Sequence, residues 1–96
     1  MNVVIIGAGV VGLASGWELA KRGCDVTILE RDVPGAGAST AAAGMLAPVA
    51  EARFGERALV QLGLESIERW PDFVRELETA SGQDIDHRTD GTLVIA

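Results

Sequence analysis

The sequence has few cysteines, few aromatic residues and little positive charge, and each shortage excludes a class of protein. Its 96 residues include one cysteine and no tyrosine. Because Cys24 has no second cysteine to pair with, an internal disulfide framework is excluded and a reducing cytosol is expected. Lys and Arg number 8 against 14 Asp and Glu, a net charge of −6. Since the chain has no basic cluster, we expect no nucleic-acid partner.

Long apolar runs are also absent. The most apolar stretch, residues 3–14, is interrupted by three glycines and is shorter than the roughly 20 residues of a membrane span. It lacks the basic segment that opens a signal peptide. We therefore expect a cytoplasmic protein with no membrane partner. The length and the 48% hydrophobic content are those of one globular domain.

The first 30 residues predict a βαβ unit. Val3–Ile6 is an unbroken β-branched run, which is typical of a central parallel strand covered on both faces. The pattern from Leu13 to Arg22 predicts a helix that ends at Gly23. A second strand is predicted over Asp25–Glu30. Strand, tight turn, helix and strand in this order are typical of a parallel α/β sheet.

The remaining residues divide into three further segments. Residues 31–50 are rich in small side chains, and a loop of this length is usually functional. Residues 56–81 carry apolar side chains at three- and four-residue steps, which predicts a helical segment with its stripe packed in a core. Pro71 is expected to divide that segment into two helices or to kink it. Residues 84–96 are expected to begin a second sheet, with a strand over Gly91–Ala96.

Three glycines in a Gly-x-Gly-x-x-Gly pattern connect the first strand to the helix, and this context gives the motif its weight. Gly7 permits the tight turn, Gly9 lets a pyrophosphate approach the backbone, and Gly12 lets the helix pack against the sheet. The pyrophosphate would lie on the free N–H groups at the positive end of the helix. Gly16 extends the close contact between helix and sheet.

Glu30 ends the second predicted strand, 18 residues after Gly12. A carboxylate at this position accepts hydrogen bonds from the two hydroxyls of an adenosine ribose and repels a 2′-phosphate. The neighbouring Arg31 is the one feature that favours NADP. These residues predict that the chain binds a dinucleotide, and they leave NAD and FAD both open.

The loop after the second strand carries a more specific resemblance. It runs Ser-Thr-Ala-Ala-Ala-Gly-Met-Leu-Ala-Pro-Val-Ala-Glu over residues 39–51. With Gly7–Gly12, Glu30-Arg31, Ser81–Ile85 and Asp90–Leu93, it resembles the D-amino-acid-oxidase-like family of FAD-dependent amine oxidases. Within that family it is similar to the glycine oxidases of thiamine biosynthesis. The resemblance covers the whole chain.

The resemblance implies FAD as the cofactor, bound by a Rossmann-like half-domain that leads into the first strand of a substrate domain. Val10–Val11 would flank the pyrophosphate, and Ala38–Ser39 would meet the phosphate–ribityl region. Ala43–Met45 would lie beside the isoalloxazine ring, with Ala47–Glu51 near the substrate. The implied cofactor-binding residues are Gly7, Gly9, Val10, Val11, Gly12, Glu30, Arg31, Ala38, Ser39, Ala43, Gly44 and Met45.

The implied reaction is oxidation of a small amino acid, glycine above all, with oxygen as acceptor and hydrogen peroxide as product. In such enzymes the flavin supplies the reactivity and the protein supplies orientation and electrostatics. The resemblance implies no catalytic side chain in this segment, and no metal site is expected. His87 lies among charged residues and is expected in a solvated loop. Whether the parent enzyme is a homo-oligomer stays open.

Two other functional classes stay open at this point. One is a fragment of a nicotinamide-dependent dehydrogenase, which would retain NAD in preference to FAD. The other is a non-catalytic nucleotide-binding module, which would bind an adenosine nucleotide without turnover. Within the flavin class, the alternative substrate is another small amine or a D-amino acid.

The family holds its substrate carboxylate with an arginine, often with a tyrosine, from a later sheet, and no residue of this sequence matches that role. We therefore expect residues 1–96 expressed alone to bind FAD poorly and to oxidise no amine. Absorption spectroscopy of the purified chain and a peroxide assay with glycine check this. A flavin absorption band together with peroxide formation would contradict it.

Overall fold

The computed structural model describes residues 1–95. Two strands and three helices follow one another along them: β1 (Asn2–Ile6), α1 (Val10–Lys21), β2 (Asp25–Leu29), α2 (Ala38–Ala41) and α3 (Arg57–Ser81). The chain divides into two compact units, Met1–Gly44 and Met45–Ala96. None of the helices described in residues 1–95 is long and apolar enough to cross a membrane.

The first unit is a βαβ structure. β1 and β2 pair in parallel, with Val3 opposite Val26 and Ile5 opposite Ile28. Parallel neighbours need a crossover connection, and α1 supplies it. The predicted parallel α/β arrangement, the Rossmann-like start of a dinucleotide-binding fold, is therefore confirmed.

Two glycines of α1 bring the helix close to the strands. A Cβ atom at Gly12 would lie 2.0 Å from the carbonyl oxygen of Gly7. A Cβ atom at Gly16 would lie 2.9 Å from Cδ1 of Ile28 and 3.4 Å from Cδ1 of Ile5. The prediction for Gly16 is confirmed, whereas Gly12 relieves a clash with the glycine turn more than with the sheet.

The sheet is covered on one face only. Side chains alternate along both strands between half-buried and exposed positions. On the exposed face Val4, Ile6 and Leu29 are 62%, 88% and 53% exposed. The expectation that β1 is covered on both faces is wrong for residues 1–44, because one crossover helix can cover only one side of a two-stranded sheet.

The loop after β2 has more local structure than expected. The single turn α2 lies within residues 31–50, and the N–H of Ala42 closes it on the carbonyl of Ala38 (2.9 Å). Gly35, with φ +80°, turns the chain before α2. The backbone N–H and the hydroxyl of Thr40 both donate to the carbonyl of Gly35. These local bonds order a segment that composition alone predicts as a loop.

α3 runs without a break through Pro71, so the expected division into two helices is wrong, and the alternative, a kink at Pro71, stays a prediction. Proline removes one helical donor, to the carbonyl of Ile67, and leaves the bonds of the flanking turns intact. The predicted end of the helix is confirmed: Gly82 has φ +69°, and its N–H donates to the carbonyl of Glu78 (2.8 Å).

The apolar stripe of α3 is only partly buried in the second unit. Val74 is 5% exposed, and the Trp70 and Phe73 rings lie 5.3 Å apart. Leu59 and Leu62 are mainly exposed, so the expected core packing holds at the C-terminal half of the helix and fails at its start. Within residues 45–95 no other element covers these leucines.

The chain after α3 differs from expectation at two places. His87 is half-buried, with its ring 6.4 Å from that of Trp70, so it is not a freely solvated loop histidine. Residues 91–95 form no strand, since a strand needs a pairing neighbour and no segment of residues 1–95 pairs with them. The last residue of that predicted strand, Ala96, lies outside the described residues.

Gly12 and Gly16 form a matched pair for testing the close approach of α1. Gly12→Ala meets a backbone carbonyl, which cannot move away freely, and we expect it to lower the free energy of unfolding by about 1–3 kcal/mol. Both replacements gain helix propensity of about 1 kcal/mol, but Gly16→Ala meets a mobile methyl group, so its net effect should be smaller. Urea unfolding of both variants measures the difference. Equal losses would contradict the assignment of the tighter contact to Gly12.

Candidate dinucleotide-binding site

The glycine turn lies at the carboxyl end of β1. The N–H of Gly7 completes the sheet by donating to the carbonyl of Leu29 (2.8 Å), and Gly7 then takes φ +100°. This left-handed backbone region favours glycine, so the chain can reverse here without a side-chain clash. Ala8 follows and is 2% exposed, while Gly9 is the N-cap of α1. The predicted role of Gly7 in the turn matches this geometry.

The first turn of α1 presents free backbone donors. The first helical hydrogen bond runs from the N–H of Leu13 to the carbonyl of Gly9 (2.9 Å). Within residues 1–95, the N–H groups of Gly9, Val11 and Gly12 have no acceptor. Such groups at the positive end of a helix bind phosphate oxygens. The side chains of Val10 and Val11 are exposed and leave the backbone of this turn accessible.

Ser39 lies at the same helix end. Its Oγ accepts a hydrogen bond from the N–H of Val10 (2.8 Å), although 29 residues separate the two. A Cβ atom at Gly9 would lie 3.2 Å from that oxygen. The structure therefore gives Gly9 a neighbour that sequence reasoning missed: the absence of a side chain makes room for the Ser39 hydroxyl. The O–H of Ser39 remains free to donate a hydrogen bond to an anion.

Glu30 immediately follows β2, and both its carboxylate oxygens accept backbone hydrogen bonds. Oε2 accepts from the N–H of Ala8 (2.7 Å), and Oε1 accepts from the N–H of Asp32 (3.1 Å). The bond from Ala8 is the main cause that lowers the pKa of Glu30 below its ordinary value. The bond from Asp32 and the positive charge of Arg31 lower the pKa further.

The carboxylate of Glu30 nevertheless remains accessible. Its side chain is exposed, and a carboxylate offers about four acceptor positions, of which two are used. Free positions therefore remain for the hydroxyls of a ribose. The spacing from Gly12 correctly indicated that Glu30 lies beside the glycine turn, but no sequence signal indicated the bond to Ala8.

A further contact fixes the turn from the loop side. The N–H of Gly35 donates to the carbonyl of Ala8 (2.9 Å). The carbonyl of Gly35 in turn accepts two bonds from Thr40 of α2. Ala8, Gly35 and Thr40 were all missed as site residues, since nothing in their spacing distinguishes them from the other small residues of the loop.

Not all the predicted cofactor contacts come together. Seven of the predicted residues lie in or beside the glycine turn of the first unit: Gly7, Gly9, Val10, Val11, Gly12, Glu30 and Ser39. Ala38 opens α2 beside Ser39, and Arg31 follows Glu30 with its side chain exposed. Ala43 and Gly44 end the first unit and Met45 begins the second, and no hydrogen bond between residues 1–95 joins these three to the turn. Their expected place beside the isoalloxazine ring stays a prediction.

The second unit contains a cavity of its own. It has a volume of about 230 Å³ and is lined by Leu46, Ala47, Pro48, Glu51, Gly63, Ser66, Ile67 and Trp70. A Cβ atom at Gly63 would lie 2.7 Å from Cβ of Pro48, so this glycine permits the close packing of residues 46–51 on α3. Glu51 is the only ionisable side chain among the lining residues.

Comparison with known proteins agrees with this geometry. The family model described as FAD dependent oxidoreductase matches residues 2–96. The chain belongs to this family of FAD-dependent oxidoreductases. The predicted family and the predicted cofactor are therefore confirmed, and the nicotinamide alternative is set aside.

Individual relatives carry more specific names. A glycine oxidase of Geobacillus kaustophilus is 46% identical over 85 residues, 88% of this chain and 22% of that protein. A bifunctional protein ThiO/ThiG of Trichormus variabilis is 47% identical over 81 residues, 84% of this chain and 12% of that protein. The tRNA 5-methylaminomethyl-2-thiouridine biosynthesis bifunctional protein MnmC of Psychrobacter cryohalolentis is 55% identical over 47 residues, 49% of this chain and 7% of that protein.

The chain spans about a fifth of the length of the glycine oxidase that it matches, and about an eighth of the ThiO/ThiG protein. The relatives also differ in the reactions that their names describe.

The described residues fit the adenosine diphosphate part of FAD. The free N–H groups of Gly9, Val11 and Gly12 suit phosphate oxygens, and an accessible carboxylate at Glu30 suits ribose hydroxyls. The glycines leave the backbone of the turn open to a close approach. These features are what the family's cofactor requires at its phosphate and ribose groups.

The lowered pKa of Glu30 predicts a pH dependence of stability. The native state favours the carboxylate, so its contribution is fully present above the ordinary glutamate pKa of about 4.5. It is lost as the pH falls through the lowered native-state pKa. We therefore expect the unaltered protein to exceed the Glu30→Gln variant in unfolding free energy at neutral pH, and the difference to shrink below about pH 4.

Urea unfolding of both proteins across this pH range measures that difference. The Glu30→Gln protein serves as the control for the unaltered protein, because residue 30 cannot titrate in it. A difference that stays constant on acidification would show that the charge of Glu30 does not stabilise the native turn.

Proposed function

We propose that residues 1–44 bind the adenosine diphosphate part of FAD at the glycine turn. The observation that carries this proposal is the set of free N–H groups at the start of α1, with Glu30 beside them, in a chain of an FAD-dependent family. The phosphates lie on the N–H groups of Gly9, Val11 and Gly12, where the helix end is positive. The ribose hydroxyls donate to the free acceptor positions of Glu30.

The loop residues complete this cofactor site. The Ser39 hydroxyl accepts a hydrogen bond from the N–H of Val10 and donates one to a phosphate oxygen. Arg31, which follows Glu30, lies near the ribose. Ala38, Ala43, Gly44 and Met45 approach the rest of the cofactor with backbone atoms and small or flexible side chains, which exclude water from it.

We further propose that the protein carrying this chain oxidises glycine to the imine, which water hydrolyses to glyoxylate and ammonia. The names of the glycine oxidase and ThiO/ThiG relatives support this substrate, as does the loop over residues 39–51. It would act in the cytoplasm and serve thiazole formation in thiamine biosynthesis. When bound, FAD accepts two electrons from the α-carbon of the amine and passes them to oxygen, which yields hydrogen peroxide.

The residues of this chain contribute binding and orientation to that reaction. None of them is proposed to move a proton during the oxidation. The cavity in the second unit places Ala47, Pro48 and Glu51 together, and these are the residues expected near the substrate. The group that holds the substrate carboxylate is proposed to lie outside residues 1–96, which agrees with the expected inactivity of these residues alone.

The cofactor and the substrate are tested on the complete gene product. We expect the purified protein to release FAD, and neither FMN nor a nicotinamide nucleotide, on denaturation and chromatography. We expect peroxide formation with glycine to exceed that with other small amines and D-amino acids at equal concentration. FAD without peroxide from any amine would retain the cofactor assignment and overturn the oxidase activity.

Ser39→Ala tests the contact at the helix end. The variant loses one hydrogen bond to the turn and one to a phosphate oxygen, so we expect the Kd for FAD to rise about threefold to tenfold. Titration of the apoprotein with FAD, followed by flavin fluorescence, measures it. The matched control is Ser15→Ala on the exposed surface of α1, which should leave the Kd unchanged. Equal affinities of the Ser39 variant and the control would place the phosphate elsewhere.

A further inference from the structure

The carboxylate of Glu30 has a bond that a ribose contact does not require. Its Oε2 accepts the N–H of Ala8 at 2.7 Å. This bond joins the end of β2 to the residue between Gly7 and Gly9. A residue placed only to meet a ribose would gain nothing from it.

Ala8 is held from two sides. Its N–H donates to Glu30, and its carbonyl accepts the N–H of Gly35 at 2.9 Å. Ala8 is 2% exposed, so water cannot replace either partner easily. Both partners come from the chain after β2 and neither from α1. The peptide groups on either side of Ala8 therefore have one orientation as long as these bonds are intact.

The orientation of Ala8 determines where the phosphate donors point. Gly9 is the next residue, and its free N–H belongs to the peptide that begins at the Ala8 carbonyl. Gly7, on the other side, has φ +100° and can adopt other conformations at low cost. Without the bond from Glu30, the Gly35 bond to the Ala8 carbonyl would remain, but the peptide between Gly7 and Ala8 would lose its restraint and could rotate at Gly7. The N–H of Gly9 would then lose its common direction with those of Val11 and Gly12.

We propose that Glu30 is a positioning residue for the phosphate-binding donors at the start of α1, in addition to its contact with the ribose. The inference rests on the proposed function, since it assigns a second role to a residue of that same site. Oε2 holds Ala8, and the remaining acceptor positions of the carboxylate meet the ribose. One side chain thus sets the geometry of two neighbouring parts of the cofactor.

A comparison of two nucleotides separates these roles. ADP carries the diphosphate and both ribose hydroxyls, whereas 2′,3′-dideoxy-ADP carries the diphosphate without those hydroxyls. Each is titrated as a competitor of FAD binding to the apoprotein of the complete gene product. A pure ribose contact predicts that Glu30→Ala weakens ADP and leaves dideoxy-ADP unchanged. Positioning predicts that Glu30→Ala weakens dideoxy-ADP as well, by about threefold or more.

The conservative variant Glu30→Gln should retain the affinity for dideoxy-ADP that Glu30→Ala loses. In Glu30→Gln the amide oxygen can still accept the N–H of Ala8, so we expect dideoxy-ADP to bind within about twofold of its affinity for the unaltered protein. The control is Asp25→Ala, which removes a carboxylate at the opposite end of β2 and should change neither affinity. Hydrogen exchange of the Ala8 amide gives a readout without ligand: it should be slow in the unaltered protein and in the Glu30→Gln variant, and fast in Glu30→Ala.

Two results would overturn the inference. One is a dideoxy-ADP affinity that Glu30→Ala leaves unchanged while ADP weakens, which would reduce Glu30 to a ribose contact. The other is a loss of dideoxy-ADP affinity that Glu30→Gln reproduces in full, which would assign the effect to charge. Failure of both nucleotides to compete with FAD on the unaltered protein is a different outcome. It would overturn the proposed site itself, and the positioning role with it.

Discussion

The candidate site depends on the fixed position of Ala8. The N–H of Ala8 donates to Glu30, and its carbonyl accepts from the N–H of Gly35. The N–H of Gly7 connects the turn to β2 by donating to Leu29. These bonds connect the end of β1 to two segments much later in the sequence, the end of β2 and the loop between β2 and α2. The start of α1 follows directly from this junction, so the direction of its free N–H groups depends on it.

The glycines of the turn and of α1 each have a specific physical role in the structure. Gly7 needs its positive φ, and Gly12 avoids a clash with the Gly7 carbonyl. Gly9 leaves room for the Ser39 hydroxyl, and Gly16 lets α1 approach Ile28. Contacts or backbone geometry within the protein therefore account for each of them. Close approach of a pyrophosphate is compatible with these contacts, and the same lack of side chains serves both.

Cofactor recognition and substrate recognition are separate questions in this chain. Hydrogen bonds and free donors around the turn give the first unit a chemistry that suits a nucleotide diphosphate. The described residues of the second unit form a cavity with a single carboxylate, that of Glu51. None of the residues that line it is an arginine, the residue type with which the family binds a substrate carboxylate. A glycine oxidase shares 85 residues of this chain at 46% identity, and a bifunctional protein of tRNA 5-methylaminomethyl-2-thiouridine biosynthesis shares 47 residues at 55%.

The sequence by itself determined the order of the elements, the parallel pairing and the family, because apolar runs, glycine spacing and the loop over residues 39–51 are local signals. It also predicted that Glu30 would lie at the turn. Only the tertiary structure decided the partners of Ala8, the place of Ser39 at the start of α1 and the continuity of α3 through Pro71. Hydrogen bonds between residues 22 and 29 positions apart leave no periodic trace in a sequence, since they depend on how the chain returns in space. The exposed faces of β1 and α3 were mispredicted for a related reason: an apolar pattern shows that a face can be buried, but not which segment buries it.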